Sequence, residues 1–359
     1  MEVPPMSKTE NLPALSGEGS VCLFGAEELL VRLRGFFSEI PGVFSSEDPE
    51  NLHRMRVASR RIRSALPLME KCVSSEEYRS WRKGTRRFTR ALGDARDLDV
   101  QQLFLRDLLE RRVLPPEGVP GIRRLLLRLA QKRRALQKKV ERVLQREARE
   151  QLLHHMERTL RQLVVHLRLR GEEQDSRNLR DRARSMLVLR LEELLALEYV
   201  LGSPDFFEGH HDLRIAVKRL RYTAELFRPL LEEERGKNCI KNLKELQTLL
   251  GNLHDLDVWK EMLPLFLEDE RERTLEYYGH LRCFPQLEKG LTLLEEHVSG
   301  RREALFEEAG KLWKKLEENA FWKELYLVFE ELPSQEEIGV REAPSFPERE
   351  EKKEESEEV

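Results

Sequence analysis

The chain has 359 residues, 40% hydrophobic and 36% charged, with a formal net charge of −3. That length suits two units of roughly 150 residues rather than one small domain, and no apolar run approaches the ~20 residues that would span a bilayer. The charge is uneven: residues 331–359 hold 11 acidic and 4 basic side chains, leaving 59 basic against 55 acidic before them, so the mildly basic body can still attract an anionic partner.

Residues 1–20 are rich in Pro, Ser and Gly and read as a disordered N-terminus. They lack the basic-then-apolar order of a secretory signal, which predicts a cytoplasmic protein with no membrane partner. From residue 21 onward Leu-rich patterns at helical spacing, broken by proline or glycine and without strand alternation, predict an all-α fold. A first half runs over 21–170 and a second over 175–333, each fitting four main helices with the last open to a kink. Asp48-Pro49 and Ser203-Pro204 have the form of an N-cap followed by a first-turn proline. Residues 334–359 read as a disordered acidic tail. Cys22, Cys72, Cys239 and Cys283 lie far apart, form no CxxC pair, and read as reduced thiols.

The two halves repeat one another. LHRMRVASRRIR at 52–63 matches HHDLRIAVKRLR at 210–221, with His53 aligned to His211 at an offset of 158. LGDARDLDV at 92–100 matches LGNLHDLDV at 250–258 at the same offset, with six of nine positions identical. Gly121 through Leu136 resemble Gly290 through Leu305 at an offset of 169, so the second half carries 11 more residues. They are expected within 264–289, in a loop bracketed by Pro264 and Pro285.

On a helical wheel His53, Arg56, Arg60 and Arg63 share a sector of about 80°, with Arg61 flanking it and Met55, Ala58, Ile62 and Leu66 opposite. His211, Arg214, Lys218 and Arg221 repeat the pattern, flanked by Arg219, over Leu213, Ala216 and Leu220. The next helix presents Arg79, Lys83, Arg86 and Arg90 opposite Trp81 and Phe88. Its counterpart presents Lys237, Lys241 and Lys244, with Thr248 in the fourth place. Surface helices usually interleave acids with bases at i,i+4; these rows contain none. Arginine forks suit tetrahedral phosphate oxygens, and rows of them suit a linear ligand with repeating charge. Aromatic stacking platforms for single-stranded nucleic acid are not interleaved; Tyr222, beside Arg221, reads equally as a packing residue or a ligand contact.

The helix His-x2-Arg-x3-[Arg/Lys]-Arg-x-Arg, followed 40 residues later by Leu-Gly-[Asp/Asn]-x2-Asp-Leu-Asp-Val, resembles the CHAD family (conserved histidine α-helical domain), in both halves and over about 21–333. The resemblance implies two tandem four-helix bundles related by pseudo-two-fold symmetry, and a basic surface or pore that binds inorganic polyphosphate without catalysis or cofactor. It places binding residues at His53, Arg56, Arg60, Arg61, Arg63, His211, Arg214, Lys218, Arg219 and Arg221. The rows on the adjoining helices fit with them, and Lys132, Arg133, Arg301 and Arg302 join as outer candidates. Polyphosphate granules or a polyphosphate-metabolising enzyme are the implied surroundings. Glu348, Glu350 and Lys352 spell the ExExK pattern of a triphosphate-tunnel enzyme that is fused to many family members, but the pattern lies in the charged tail with no strand around it and reads as coincidence.

Two other readings rank below this one. A nucleic-acid-binding or scaffold protein would use the same cations. A metal-dependent phosphohydrolase could use the His-Asp pairs His211-Asp212 and His254-Asp255, but neither pair is repeated in the first half. What repeats is Asp97/Asp255 and Asp99/Asp257, expected to orient arginines or cap helices, and no metal site is assigned. His53 and His211 are expected to meet phosphate as neutral hydrogen-bond donors, with a structural hydrogen bond or metal ligation as the alternatives.

Overall fold

The computed structural model describes residues 18–45, 48–172 and 177–332. The sequence readings for 1–17 and 333–359, including Glu348, Glu350 and Lys352, lie outside the described residues. Among those described there is no strand, and no helix is long and apolar enough to cross a membrane.

Eleven helices are formed among the described residues, joined by short 3-10 turns. They are α1 (Gly19–Phe37), α2 (Ile40–Ser45), α3 (Pro49–Ala65), α4 (Ser75–Glu110), α5 (Val119–Glu150), α6 (Leu152–Leu169), α7 (Arg177–Leu195), α8 (Phe207–Leu226), α9 (Glu233–Tyr278), α10 (Phe284–Glu318) and α11 (Phe321–Glu330). The repeat carries into these boundaries. α7, α8 and α9 begin 158 residues after α1, α3 and α4, and α11 begins 169 after α6. The breaks between α5 and α6 and between α10 and α11 also correspond: Gln151 and Ala320 both take left-handed backbone, φ 51° and 54°.

Local chemistry starts several helices. Asp48 accepts from the Glu50 backbone N–H ahead of Pro49, capping α3 as expected. Ser74 and Glu77 form a capping box at α4. Ser203-Pro204 does not open α8. Ser203 accepts from Asp205 N–H in a turn, and the helix begins at Phe207. Buried His210 ties that start to the preceding 3-10 turn, its Nε2 lying 2.9 Å from the Val200 carbonyl.

The apolar faces are buried as the wheel predicts, and one continuous core runs through both halves. Two features hold the halves together. Glu270 on α9, 1% exposed, receives Arg124 at 2.8 Å and Arg128 at 2.8 Å from α5. α5 and α10 also cross at two glycines. A Cβ on Gly121 would lie 2.5 Å from the Leu287 carbonyl oxygen and 2.9 Å from Gly290 Cα; one on Gly290 would lie 2.4 Å from the Gly118 carbonyl oxygen and 2.9 Å from Gly121 Cα. Only glycine permits that approach.

Two expectations are corrected. The added residues of the second half form no loop: α9 runs 46 residues through Pro264, against 36 in α4. Proline removes one backbone donor, and burial of Phe266 and Glu270 beyond it outweighs the loss. Cys22 and Cys72 are not free thiols but a disulfide between α1 and the turn after α3, with Cα atoms 5.5 Å apart. Packing of α1 on α3 brings together residues 50 apart in sequence; Cys239 and Cys283 are free.

Candidate functional site

α3 and α8 lie against each other across the junction of the halves, and their cationic faces open into one cleft of about 970 Å³. Each helix buries its apolar side, Met55 and Ile62 on α3 and Leu213 and Leu220 on α8, so the basic side has nowhere to turn but the cleft. Arg56, Arg60, Arg63, Arg214, Lys218, Arg219 and Tyr222 line it, joined by Arg301 from α10. Arg190 on α7 lines it too and was missed by the sequence reading. Its 158-offset counterpart is Arg32, and each arginine is paired with a glutamate, Arg190 with Glu193 and Arg32 with Glu28. That shared position was the available signal. Among the described residues, the only acids on the lining are Asp97 and Asp255.

The wheel's premise of rows without acids fails in the assembled site: Asp97 reaches in from α4, and Glu225 on α8 and Glu233 and Glu234 on α9 stand one turn from cations of their own helices. Asp97 on α4 lies 3.3 Å from Arg56. Glu225 lies 3.5 Å from Arg61 and pairs with Arg221. Lys237 is held by Glu234 at 2.9 Å and Glu233 at 3.1 Å. Among the described residues Arg60, Arg63, Arg214, Lys218 and Arg219 have no carboxylate partner within 4.0 Å. Arg60 instead lies over the Tyr222 ring at 5.0 Å, and Arg221 lies over the same ring at 4.5 Å. Among the described residues, the Nε atoms of Arg56 and Arg214 and the Nδ1 of His53 are buried without a hydrogen-bond partner.

The remaining sequence candidates fall elsewhere. Arg302 is withdrawn from the binding surface. It is 3% exposed, bonded to Asp257 at 2.5 Å and stacked on Phe207 at 4.1 Å. Its counterpart Arg133 is bonded in the same way to Asp99 at 2.7 Å, with Gln137 on its other side. These two pairs link the repeated aspartates to the repeated arginines, the orienting role expected for the carboxylates. Lys132 is exposed outside the cleft although its counterpart Arg301 lines it. Arg79, Lys83, Arg86 and Arg90 are exposed along α4, and Lys241 and Lys244 along α9, beyond the cleft lining. His53 and His211 are half-buried at its edge. His211 Nδ1 lies 3.4 Å from His254 Nδ1, and His254 reaches the lining.

Crowding of cations shows in the titration behaviour. Burial, then the neighbouring Arg60, Arg214 and Arg56, lower Lys218 to about 7. Burial and Arg214 lower His254 to about 4. Burial and Arg96 push His53 down, and burial and Arg214 push His211 down, so these histidines are held neutral at pH 7. Asp97 and Asp255 have exposed side chains, but the walls of the cleft strip much of their water. That desolvation raises Asp97 and brings Asp255 to about 6, despite the nearby arginines. A site that resists its own positive charge in this way favours an anion that supplies the missing counter-charge. Among the described residues no three His, Cys, Asp or Glu side chains converge as a metal set.

Residues 29–264 match the model of the CHAD domain family. The crystal structure of the CHAD domain from the plant Ricinus communis superposes with a TM-score of 0.54 at 20% identity, covering 93% of this chain and 99% of that one. PptA from Streptomyces chartreusis superposes with a TM-score of 0.52 at 15% identity, covering 81% of this chain and 98% of that one. At these identities the likeness is one of fold. No curated protein matches the chain.

Proposed function

Because the chain belongs to the CHAD domain family, we propose that it binds inorganic polyphosphate, without catalysis, in the cleft between its halves. The observation that carries this reading is the set of unpaired cations that both halves turn into one cleft. Arg60 and Arg63 come from α3, and Arg214, Lys218 and Arg219 from α8. A linear polyanion crossing the junction meets both groups in succession. The matched helix starts and the reciprocal Gly121–Gly290 crossing support two bundles related by an approximate two-fold, with the cleft along their junction. Association with polyphosphate granules, or with an enzyme that makes or degrades the polymer, is the cellular setting this activity suits.

Nucleic acid is the second reading. It is disfavoured by the aromatic residues of the lining. Trp259 is 2% exposed, Phe104 is packed on it at 5.5 Å, and Tyr222 lies under two guanidinium groups, so none is a free platform for bases. Competition decides between the two: labelled long-chain polyphosphate should resist displacement by RNA or DNA at equal phosphate concentration. Equal displacement would replace the polyphosphate assignment with a general polyanion site. Release of phosphate from polyphosphate or nucleotides on adding divalent metal would overturn the non-catalytic assignment.

The cleft also predicts a pH dependence. A bound polyanion favours protonated Lys218 and protonated Asp255, so binding takes up protons where these groups are otherwise deprotonated. Lys218 stands at about 7 and Asp255 at about 6 in the free protein. Affinity for long polyphosphate should therefore fall as pH rises from about 6 to about 8, by up to about tenfold per pH unit for each full proton linked. Titration calorimetry in buffers of different ionisation enthalpy should report proton uptake. Affinity that rises with pH would contradict this reading.

A further inference from the structure

We infer that bound polyphosphate leaves the cleft on one side only, over the first half, where Arg63 passes the chain to Arg82, Arg86 and Arg90 of α4. The track makes the protein prefer long chains. This inference rests on the polyphosphate reading and deepens it.

The two ends of the cleft are built differently at matched positions. In the second half Arg221 is held by Gln247 at 2.8 Å and paired with Glu225, which also approaches Arg61. At the 158 offset the counterparts of Arg221, Gln247 and Glu225 are Arg63, Thr89 and Pro67. All three line the cleft, and none places a carboxylate beside Arg63. One end is therefore closed by an acid that consumes its arginine. The other presents an exposed arginine with no carboxylate partner.

Beyond each end the long helices differ in the same sense. Along α4 the cleft wall runs from Asp97 past Gly93, whose Cβ position would lie 3.6 Å from the Arg56 guanidinium, to Thr89. The same face continues outward through Arg86 and Arg82 at helical spacing. These two act electrostatically on Arg63, which burial and their positive charge together hold below its ordinary value. Arg82, Arg86 and Arg90 are exposed and have no carboxylate within 4.0 Å among the described residues. On α9 the matched positions are Ile240, Lys244 and Thr248, and the outermost cation, Lys237, is occupied by Glu233 and Glu234. A phosphate chain extending past Arg63 finds a continuous row of free guanidinium groups. One extending past Arg221 meets a carboxylate and a broken row.

The test compares two full-length variants, Arg82→Gln/Arg86→Gln/Arg90→Gln on α4 and Lys237→Gln/Lys241→Gln/Lys244→Gln on α9, each checked for helicity. Each binds tripolyphosphate, which fits within the cleft, and polyphosphate of many tens of units. The α4 variant should lose roughly tenfold in long-chain affinity, and its log–log salt slope should shrink by about 3, one per cation removed. Its tripolyphosphate affinity should be unchanged, and the α9 variant should match the wild type with both ligands. Equal losses in the two variants, or a loss that also falls on tripolyphosphate, would overturn the one-sided track while leaving polyphosphate binding standing. Failure of the wild type to bind either ligand would remove the binding reading and the track with it.

Discussion

Reversing Arg56 and Arg214 together to glutamate is expected to lower polyphosphate affinity by at least about a hundredfold without unfolding the protein. Each guanidinium can give charge-assisted bonds to phosphate of roughly 1.5–3 kcal/mol. Two lost together come to about 3–6 kcal/mol, or two to four decades in the dissociation constant. The reversal also sets new carboxylates beside Asp97 and Asp255, in a cleft whose walls already push both acids toward the neutral form. The fold should tolerate the change. Both residues sit on the cleft side of α3 and α8, away from buried Met55 and Leu213. Arg56 and Arg214 already repel one another, so the double variant exchanges one like-charge contact for another. Circular dichroism and fluorescence-monitored binding at physiological salt read both effects. Unchanged binding in a folded variant would move the site out of the cleft.

Gly121→Ala, like Gly290→Ala across the same crossing, should rank with the most damaging methyl additions among the described residues. Its Cβ would lie 2.5 Å from the Leu287 carbonyl oxygen and 2.9 Å from Gly290 Cα. Those are backbone atoms, which cannot rotate away as a side-chain end can. α5 and α10 would have to separate, loosening the ion pairs from Arg124 and Arg128 to buried Glu270. Overpacking of this kind costs about 1–3 kcal/mol and sometimes more. We expect the upper end, a fall of roughly 4–5 °C in Tm for a chain of this length. Gly310→Ala is the matched control. Gly310 lies inside α10 with nothing within 4 Å of its Cβ position, so alanine should stabilise by about 0.5–1 kcal/mol. A Tm for Gly121→Ala as high as that of Gly310→Ala would mean that the helices do not cross as described.

Much of this protein was determined by short-range information. The two offsets, 158 and 169, set the order of the helices and even the residues at which several begin, because each start depends on local caps and on where the apolar face resumes. The split of α3 into buried Met55 and Ile62 and outward Arg56, Arg60 and Arg63 follows from 3.6 residues per turn alone. Tertiary packing decided what those side chains meet. A wheel drawn for α3 or α8 cannot see that Asp97 reaches Arg56 from α4, or that Glu225 reaches Arg61 across the junction. It cannot separate Arg302, buried on Asp257, from exposed Arg301 beside it in sequence. The Cys22–Cys72 disulfide and the continuation of α9 through Pro264 were hidden for the same reason. Each depends on groups far apart in the chain and brought together only when the apolar faces close on one another.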